Sequence, residues 1–189
     1  MRLQHFGDSY DIVKRSLLYW LQPFGPWAAH PMFTEPFDEH DAAAFSRFLG
    51  VPLISTEVLS PSTDRLNYFD MDSAVRSLFL DPDTGVRLSA SQAPHRHQYL
   101  FASELIALSL QRPDGLFLVF DQSFPRGREE STMQEKFRYL AERDVYAFAY
   151  TSHASFIIAG TTKTLVGDAR KTILAASSLP SHRLVSLTA

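Results

Sequence analysis

Two aspartates in a tight turn, directly after an apolar run, are the residues of this sequence best suited to chemistry. Asp81 and Asp83 belong to Leu80-Asp81-Pro82-Asp83-Thr84-Gly85, and residues 75–80 before this turn are typical of a buried strand. Pro82 excludes a continuing helix or strand ladder. Ligands of open α/β sheets bind beyond the carboxyl ends of the strands, so we expect the two carboxylates to orient a reacting group. The alternative is that Asp83 only shapes a turn.

A second group of charged residues lies near the N-terminus. Asp8, Asp11 and Lys14 recur at a spacing of three, which places them on one face of a predicted helix. All three residues also have a purely structural explanation. Asp8 or Ser9 would be the N-cap, Asp11 would lie at the positive end of the helix, and Lys14 would pair with Asp11. The functional alternative is that the helix start lies against the Asp81 turn, where Asp8 and Asp11 bind substrate and Lys14 contacts an anionic ligand.

Two arginines follow the most continuous apolar run, residues 116–120. Arg126 and Arg128 flank Gly127 and would form a basic loop suited to phosphate. Solvated loop arginines are the alternative.

The four aspartates also allow a different chemistry. Asp8, Asp11, Asp81 and Asp83 could hold Mg²⁺, which favours carboxylates, and a metal-bound water would then attack a phosphodiester. This hydrolase hypothesis requires Asp8 and Asp81 to lie within about 6 Å of one another.

The predicted elements alternate along the chain. Apolar spacing predicts helices at 10–21, 39–49, 97–110, 129–143 and 164–177, and strands at 27–33, 51–58, 75–80, 116–120, 145–150, 154–159 and 183–187. Only three residues separate the strands at 145–150 and 154–159, so these strands must pair antiparallel. The order predicts an α/β fold: a three-layer, doubly wound, Rossmann-like sheet, mostly parallel, with an antiparallel C-terminal hairpin strand, in one domain over 1–189.

The composition bounds the class of protein. The 189 residues are 45% hydrophobic and 21% charged, carry a formal net charge of −3 and include no cysteine. Disulfides and thiolate catalysis are therefore excluded, and no segment reaches the roughly 20 apolar residues of a membrane span. Without an export-signal pattern at the N-terminus, we expect a cytoplasmic protein with no membrane partner. The charge disfavours nonspecific polyanion binding and leaves a nucleotide or nucleic-acid partner open.

The element order resembles that of the class I S-adenosylmethionine-dependent methyltransferases, whose last strand is antiparallel. Residues 7–15, Gly-Asp-Ser-Tyr-Asp-Ile-Val-Lys-Arg, are similar to the Gly-Asn-x-x-Asp-x-x-Lys-His segment of ribosomal-RNA adenine-N6 methyltransferases. Asp81-Pro82-Asp83-Thr84 stands where those enzymes carry Asp-Pro-Pro-Tyr. In that family the aspartate and the prolyl carbonyl bind the adenine amino group, and the aromatic residue stacks on the base.

The resemblance implies a methyltransferase-like protein that binds or modifies a nucleotide or nucleic acid, with S-adenosylmethionine as cofactor and no metal. Asp81, Asp83 and Lys14 would then form the catalytic group. Glu57 would hold the ribose hydroxyls, and Thr34 would stand in the cofactor loop. That loop contains no glycine between 34 and 38, and Thr84 replaces the aromatic residue. A third hypothesis is therefore a non-catalytic interaction protein that retains the fold. The motifs are also similar to those of small bacterial proteins.

Overall fold

The computed structural model describes residues 6–71, 75–89 and 95–188. The helices are α1 (Ser9–Trp20), α2 (Glu39–Leu49), α3 (Arg65–Tyr68), α4 (Ala102–Gln111), α5 (Glu129–Ala141) and α6 (Lys163–Ser177). The strands are β1 (Trp27–His30), β2 (Ser77–Leu80), β3 (Gly85–Arg87), β4 (Tyr99–Phe101), β5 (Phe117–Phe120), β6 (Tyr146–Thr151), β7 (Ser155–Gly160) and β8 (Leu184–Ser186). In these ranges no helix has both the length and the apolar character that a membrane crossing needs.

Six strands form a mixed sheet in the order β1-β2-β5-β7-β6-β8. β1, β2 and β5 run parallel, whereas β7 is antiparallel to both β5 and β6, and β8 is antiparallel to β6. The α/β class and the C-terminal hairpin are confirmed, but the prediction of a mostly parallel, doubly wound sheet is wrong. The hairpin strand β7 lies inside the sheet, between β5 and β6, so it makes two antiparallel pairs, and the returning β8 adds a third.

Alternate side chains of the central strands enter two separate cores. Leu78 and Leu80 pack with residues of α4 and α5, whereas Phe79 packs with residues of α1, α2 and α6. Each of these side chains is fully buried, and burial of one such side chain stabilises the fold by roughly 1.5–3 kcal/mol. The carboxyl ends of β2 and β5 are therefore held firmly beside one another.

Two segments differ most clearly from the predicted elements. Over 51–58 the structure has only an isolated bridge, in which Leu53 lies opposite Ala29. Proline at position 52 cannot donate to a strand ladder, and this segment lies at the edge of the sheet. The helix expected from residue 97 begins only at Ala102, because β4 pairs with β3 in a small parallel sheet that the sequence analysis missed.

Gly85 begins β3 at a point where the backbone approaches Asp121 closely. Its φ is +137°, and an added Cβ would meet the Asp121 side chain and lie 2.8 Å from the Gln122 nitrogen. We expect Gly85→Ala to lower the free energy of unfolding by about 2–3 kcal/mol, because it adds both backbone strain and overlap. Urea denaturation measures this. Gly167→Ala in α6 is the matched control and should be neutral or stabilising, because an added Cβ there would meet no atom within 4 Å beyond its own helix backbone. Equal losses in the two variants would contradict this explanation.

Candidate ligand-binding site

A buried ion-pair network joins the start of α1 to the end of β2. The Lys14 Nζ atom donates to Asp11 Oδ1 at 2.8 Å and to Asp81 Oδ2 at 2.7 Å. The exposed fractions of Asp11, Lys14 and Asp81 are 1%, 5% and 1%. The helix start therefore lies against the aspartate turn, as the functional alternative for this segment expects.

Opposing effects set the charges in this network. Burial acts to lower the pKa of Lys14, but the carboxylates of Asp81 and Asp11 outweigh it and hold that pKa above its ordinary value. Burial raises the pKa of Asp81, and the Lys14 ammonium opposes this rise. Lys14 is therefore a cation at neutral pH, and both of its recorded hydrogen bonds go to carboxylates.

Capping geometry fixes the first turn of α1. Asp8 Oδ1 accepts from the backbone nitrogens of Tyr10 at 2.8 Å and Asp11 at 3.1 Å, so Asp8 is the N-cap. Asp11 Oδ2 in turn accepts from the Gly7 nitrogen at 2.8 Å. The cap and the acid–lysine pair are both confirmed. They orient Tyr10 and Asp11 toward the same end of the sheet.

A cavity of about 250 Å³ lies between the start of α1, the turn after β2 and the end of β5. Its wall consists of Asp8, Tyr10, Asp11, Lys14, Asp81, Pro82, Asp83, Thr84, Phe120 and Gln122. We call this the acidic cavity, because its four aspartates and one lysine give a formal charge of −3. Tyr10 and Phe120 supply two aromatic rings, edge to face with centroids 5.9 Å apart.

The acidic cavity brings together five of the nine residues singled out in the sequence. The five are Asp8, Asp11, Lys14, Asp81 and Asp83, and the other four do not line it. Arg126 and Arg128 are exposed, and Arg128 lies 3.8 Å from Glu135. Glu57 is exposed in a loop, and the hydroxyl of Thr34 is buried without a hydrogen-bond partner.

Sequence reasoning missed the aromatic and amide parts of the wall. Tyr10 lies between Asp8 and Asp11 in the sequence, and its type could have marked it as a ring for stacking. Phe120 and Gln122 flank the carboxyl end of β5, the position at which ligands of α/β sheets bind. Phe120 is the last residue of the predicted strand at 116–120, and its side chain is only 9% exposed.

The Mg²⁺ hypothesis requires several carboxylates that lie close enough to share one ion. In residues 6–71, 75–89 and 95–188, only one set of three or more possible metal ligands has all its ligand atoms within 4.8 Å of one another. That set consists of Asp38, His40 and Asp41. The four aspartates of the acidic cavity do not form such a group. The Lys14 ammonium instead lies between Asp11 and Asp81 and neutralises charge there.

His30, at the end of β1, is fully buried, and neither ring nitrogen has a hydrogen-bond partner. Burial lowers its pKa from 6.5 to about 4. The unfolded chain therefore binds a proton between those pH values that the folded chain does not, and stability falls as the pH drops from 6.5 toward 4. We expect this residue to account for a loss of about 3 kcal/mol between pH 7 and pH 4, measured by urea denaturation.

Substitution identifies the group responsible for that loss. His30→Leu should flatten the dependence over this pH range, whatever its effect at pH 7. His40→Gln, which changes an 85% exposed side chain, should leave the dependence in place. An unchanged slope in the His30 variant would contradict the assignment.

Comparison of the chain with protein-family models, with curated proteins and with solved structures found no match.

Proposed function

We propose that this chain is a methyltransferase-like protein and that its acidic cavity binds an adenine base, supplied by a nucleotide or by S-adenosylmethionine. The observation that carries the proposal is the meeting of four carboxylates and two aromatic rings around one small cavity, at the carboxyl ends of β2 and β5. Carboxylates accept hydrogen bonds from an exocyclic amine, and aromatic rings stack on a base.

The two aromatic rings compensate for a difference between this sequence and the adenine methyltransferases that it resembles. Thr84 stands where those enzymes carry the stacking residue, but Tyr10 and Phe120 reach the same cavity from α1 and β5. The Asp81 turn provides the acceptors. Because α1 and β5 supply aromatic rings, the acidic cavity can still stack on a flat base that carries an amino group.

Charge and size narrow the ligand further. A formal charge of −3 disfavours phosphate in the acidic cavity and favours amines or the sulfonium of S-adenosylmethionine. The volume of about 250 Å³ lies just below the roughly 300–1,000 Å³ typical of small-molecule sites. The cavity therefore suits one base or one amino-acid-sized group.

The topology of the sheet is a weaker support. β7 is antiparallel to its neighbour β5, the feature through which the sequence resembles class I methyltransferases. Neither Thr34 nor Glu57, the two residues expected to contact the cofactor, lines the acidic cavity. We therefore assign base binding to the Asp81 turn and assign no residues to a cofactor loop.

Isothermal titration calorimetry with adenosine, S-adenosylmethionine and its demethylated product tests the proposal, with Mg²⁺ as a separate arm. We expect adenosine to bind, and Tyr10→Ala to weaken binding roughly tenfold or more, because a stacked base contributes about 1–3 kcal/mol. Stronger binding of S-adenosylmethionine than of adenosine would identify the cofactor as the source of the base.

Tyr19→Ala is the matched control, since Tyr19 lies on the same helix, is 68% exposed and does not line the acidic cavity. It should leave the affinity unchanged. Absence of binding by every adenine ligand would overturn the proposal, and binding of Mg²⁺ alone would favour the hydrolase hypothesis.

A further inference from the structure

A second cavity lies directly beside the acidic one. It has a volume of about 430 Å³ and is lined by Thr84, Val86, Arg87, Leu88, Tyr99, Gln122, Ser123, Phe124, Pro125, Thr132 and Lys136. We call it the basic cavity, because its charged lining residues are Arg87 and Lys136 and none of the residues in its wall is acidic. Hydroxyl groups of Tyr99, Ser123 and Thr132 complete a polar wall.

Lys136 is a structural cation in this wall. Its Nζ atom donates to Asp121 Oδ2 at 2.6 Å and to Ser123 Oγ at 2.9 Å, and the side chain is 3% exposed. Because the Asp121 carboxylate neutralises Lys136, the uncompensated positive charge of the basic cavity is that of Arg87. Lys136 holds the Ser123 hydroxyl in place.

Arg87 is held in a defined orientation. The centre of its guanidinium lies 4.5 Å from the centroid of the Tyr99 ring, and Nη2 donates to the Tyr99 hydroxyl at 3.3 Å. A guanidinium carries five N–H donors in a planar fork that matches phosphate oxygens. In the described part of the chain, Tyr99 is the partner recorded for Arg87, so other donors of the fork can reach an anion.

The two cavities share a wall. Thr84 and Gln122 line both, and the Gln122 nitrogen donates to the Thr84 carbonyl at 2.9 Å. An amine-binding, aromatic space and an anion-binding space are thus separated only by one hydrogen-bonded pair of loop residues. This is the charge pattern of a ligand that has a neutral or cationic base at one end and a phosphate at the other.

We infer that the acidic and basic cavities form one site for a mononucleotide unit, free or within a nucleic-acid strand, with the base in the acidic cavity and the phosphate against Arg87. The inference rests on the proposed function and deepens it, since it makes a phosphorylated nucleotide the preferred ligand. It also transfers the phosphate-binding role from Arg126 and Arg128, which line neither cavity, to Arg87.

Calorimetric titration with adenosine and with adenosine 5′-monophosphate tests the inference. For the unmodified protein we expect the monophosphate to bind at least tenfold more tightly than adenosine. Arg87→Gln should lower the affinity for the monophosphate at least tenfold more than the affinity for adenosine, whereas Arg87→Lys should keep part of the difference. Arg126→Gln, which removes an exposed arginine outside both cavities, is the control and should preserve the full difference.

The outcomes separate the two proposals. If adenosine binds but the phosphate adds no affinity, or if the Arg126 variant loses the difference and the Arg87 variant keeps it, the inference is wrong and base binding stands. If neither ligand binds, the inference is overturned, and the proposed function falls with it when S-adenosylmethionine and its demethylated product also fail to bind. Equal loss of both affinities in Arg87→Gln would show a structural role for Arg87 and would also overturn the inference.

Discussion

Replacement of Lys14 by methionine is expected to lower the free energy of unfolding by about 3–5 kcal/mol. Methionine fills similar space but leaves Asp11 and Asp81, each 1% exposed, as buried carboxylates without their cation. The loss should shrink as the pH falls, because burial already raises the pKa of Asp81, and without the Lys14 ammonium the folded variant would bind a proton there more readily than the unfolded chain does. Urea denaturation at several pH values measures both effects.

Lys171→Met is the matched control for this prediction. Lys171 also pairs with an aspartate three residues away, Asp168 at 3.0 Å, but the two side chains are 78% and 49% exposed. Exposed pairs contribute between about 0 and 1 kcal/mol, so this variant should be nearly neutral. A loss below about 1 kcal/mol for Lys14→Met, or an equal loss for Lys171→Met, would show that burial of the network does not govern its energy.

Local signals made one half of the acidic cavity predictable. The N-cap at Asp8 and the break at Pro82 depend on residues within a few positions of each other, so their geometry follows from backbone rules. The juxtaposition of α1 with the Asp81 turn was expected from the resemblance. In the structure, Lys14 of α1 makes this contact by donating a hydrogen bond to Asp81, which lies 67 positions away in the sequence.

Long-range pairing accounts for what the sequence analysis missed. β3 and β4 are only three residues each and pair with one another, so neither carries enough apolar alternation to be recognised. The apolar residues 99–101 fit helical spacing equally well, which explains the helix predicted too early. The mixed sheet follows from the directions of β7 and β8, and their places beside β5 and β6 depend on tertiary contacts.

The basic cavity could not be found from the sequence for the same reason. Arg87 and Lys136 lie 49 positions apart, and Asp121 connects their segments by accepting hydrogen bonds from Val86 and Lys136. A single aspartate after an apolar run has no motif around it. Its role emerges only when β3 lies beside β5.

Asp121→Ala is expected to lower the free energy of unfolding by at least about 4 kcal/mol. Asp121 is fully buried, and its Oδ1 atom accepts from the Val86 nitrogen at 2.9 Å and from the Ser123 hydroxyl at 2.7 Å. Its Oδ2 atom accepts from Lys136 at 2.6 Å. Alanine would leave a buried ammonium without its carboxylate and a buried backbone N–H without its acceptor.

The pH dependence of this variant should have the opposite sign to that of Lys14→Met. Burial already lowers the pKa of Lys136, and removal of Asp121 would lower it further. The folded variant would then bind fewer protons than the unfolded chain at and above neutral pH, so its stability should rise as the pH rises. Asp121→Asn, which keeps an oxygen acceptor for Val86, should lose less. If Asp121→Ala instead gains stability toward low pH, the energy of this network does not come from the buried lysine.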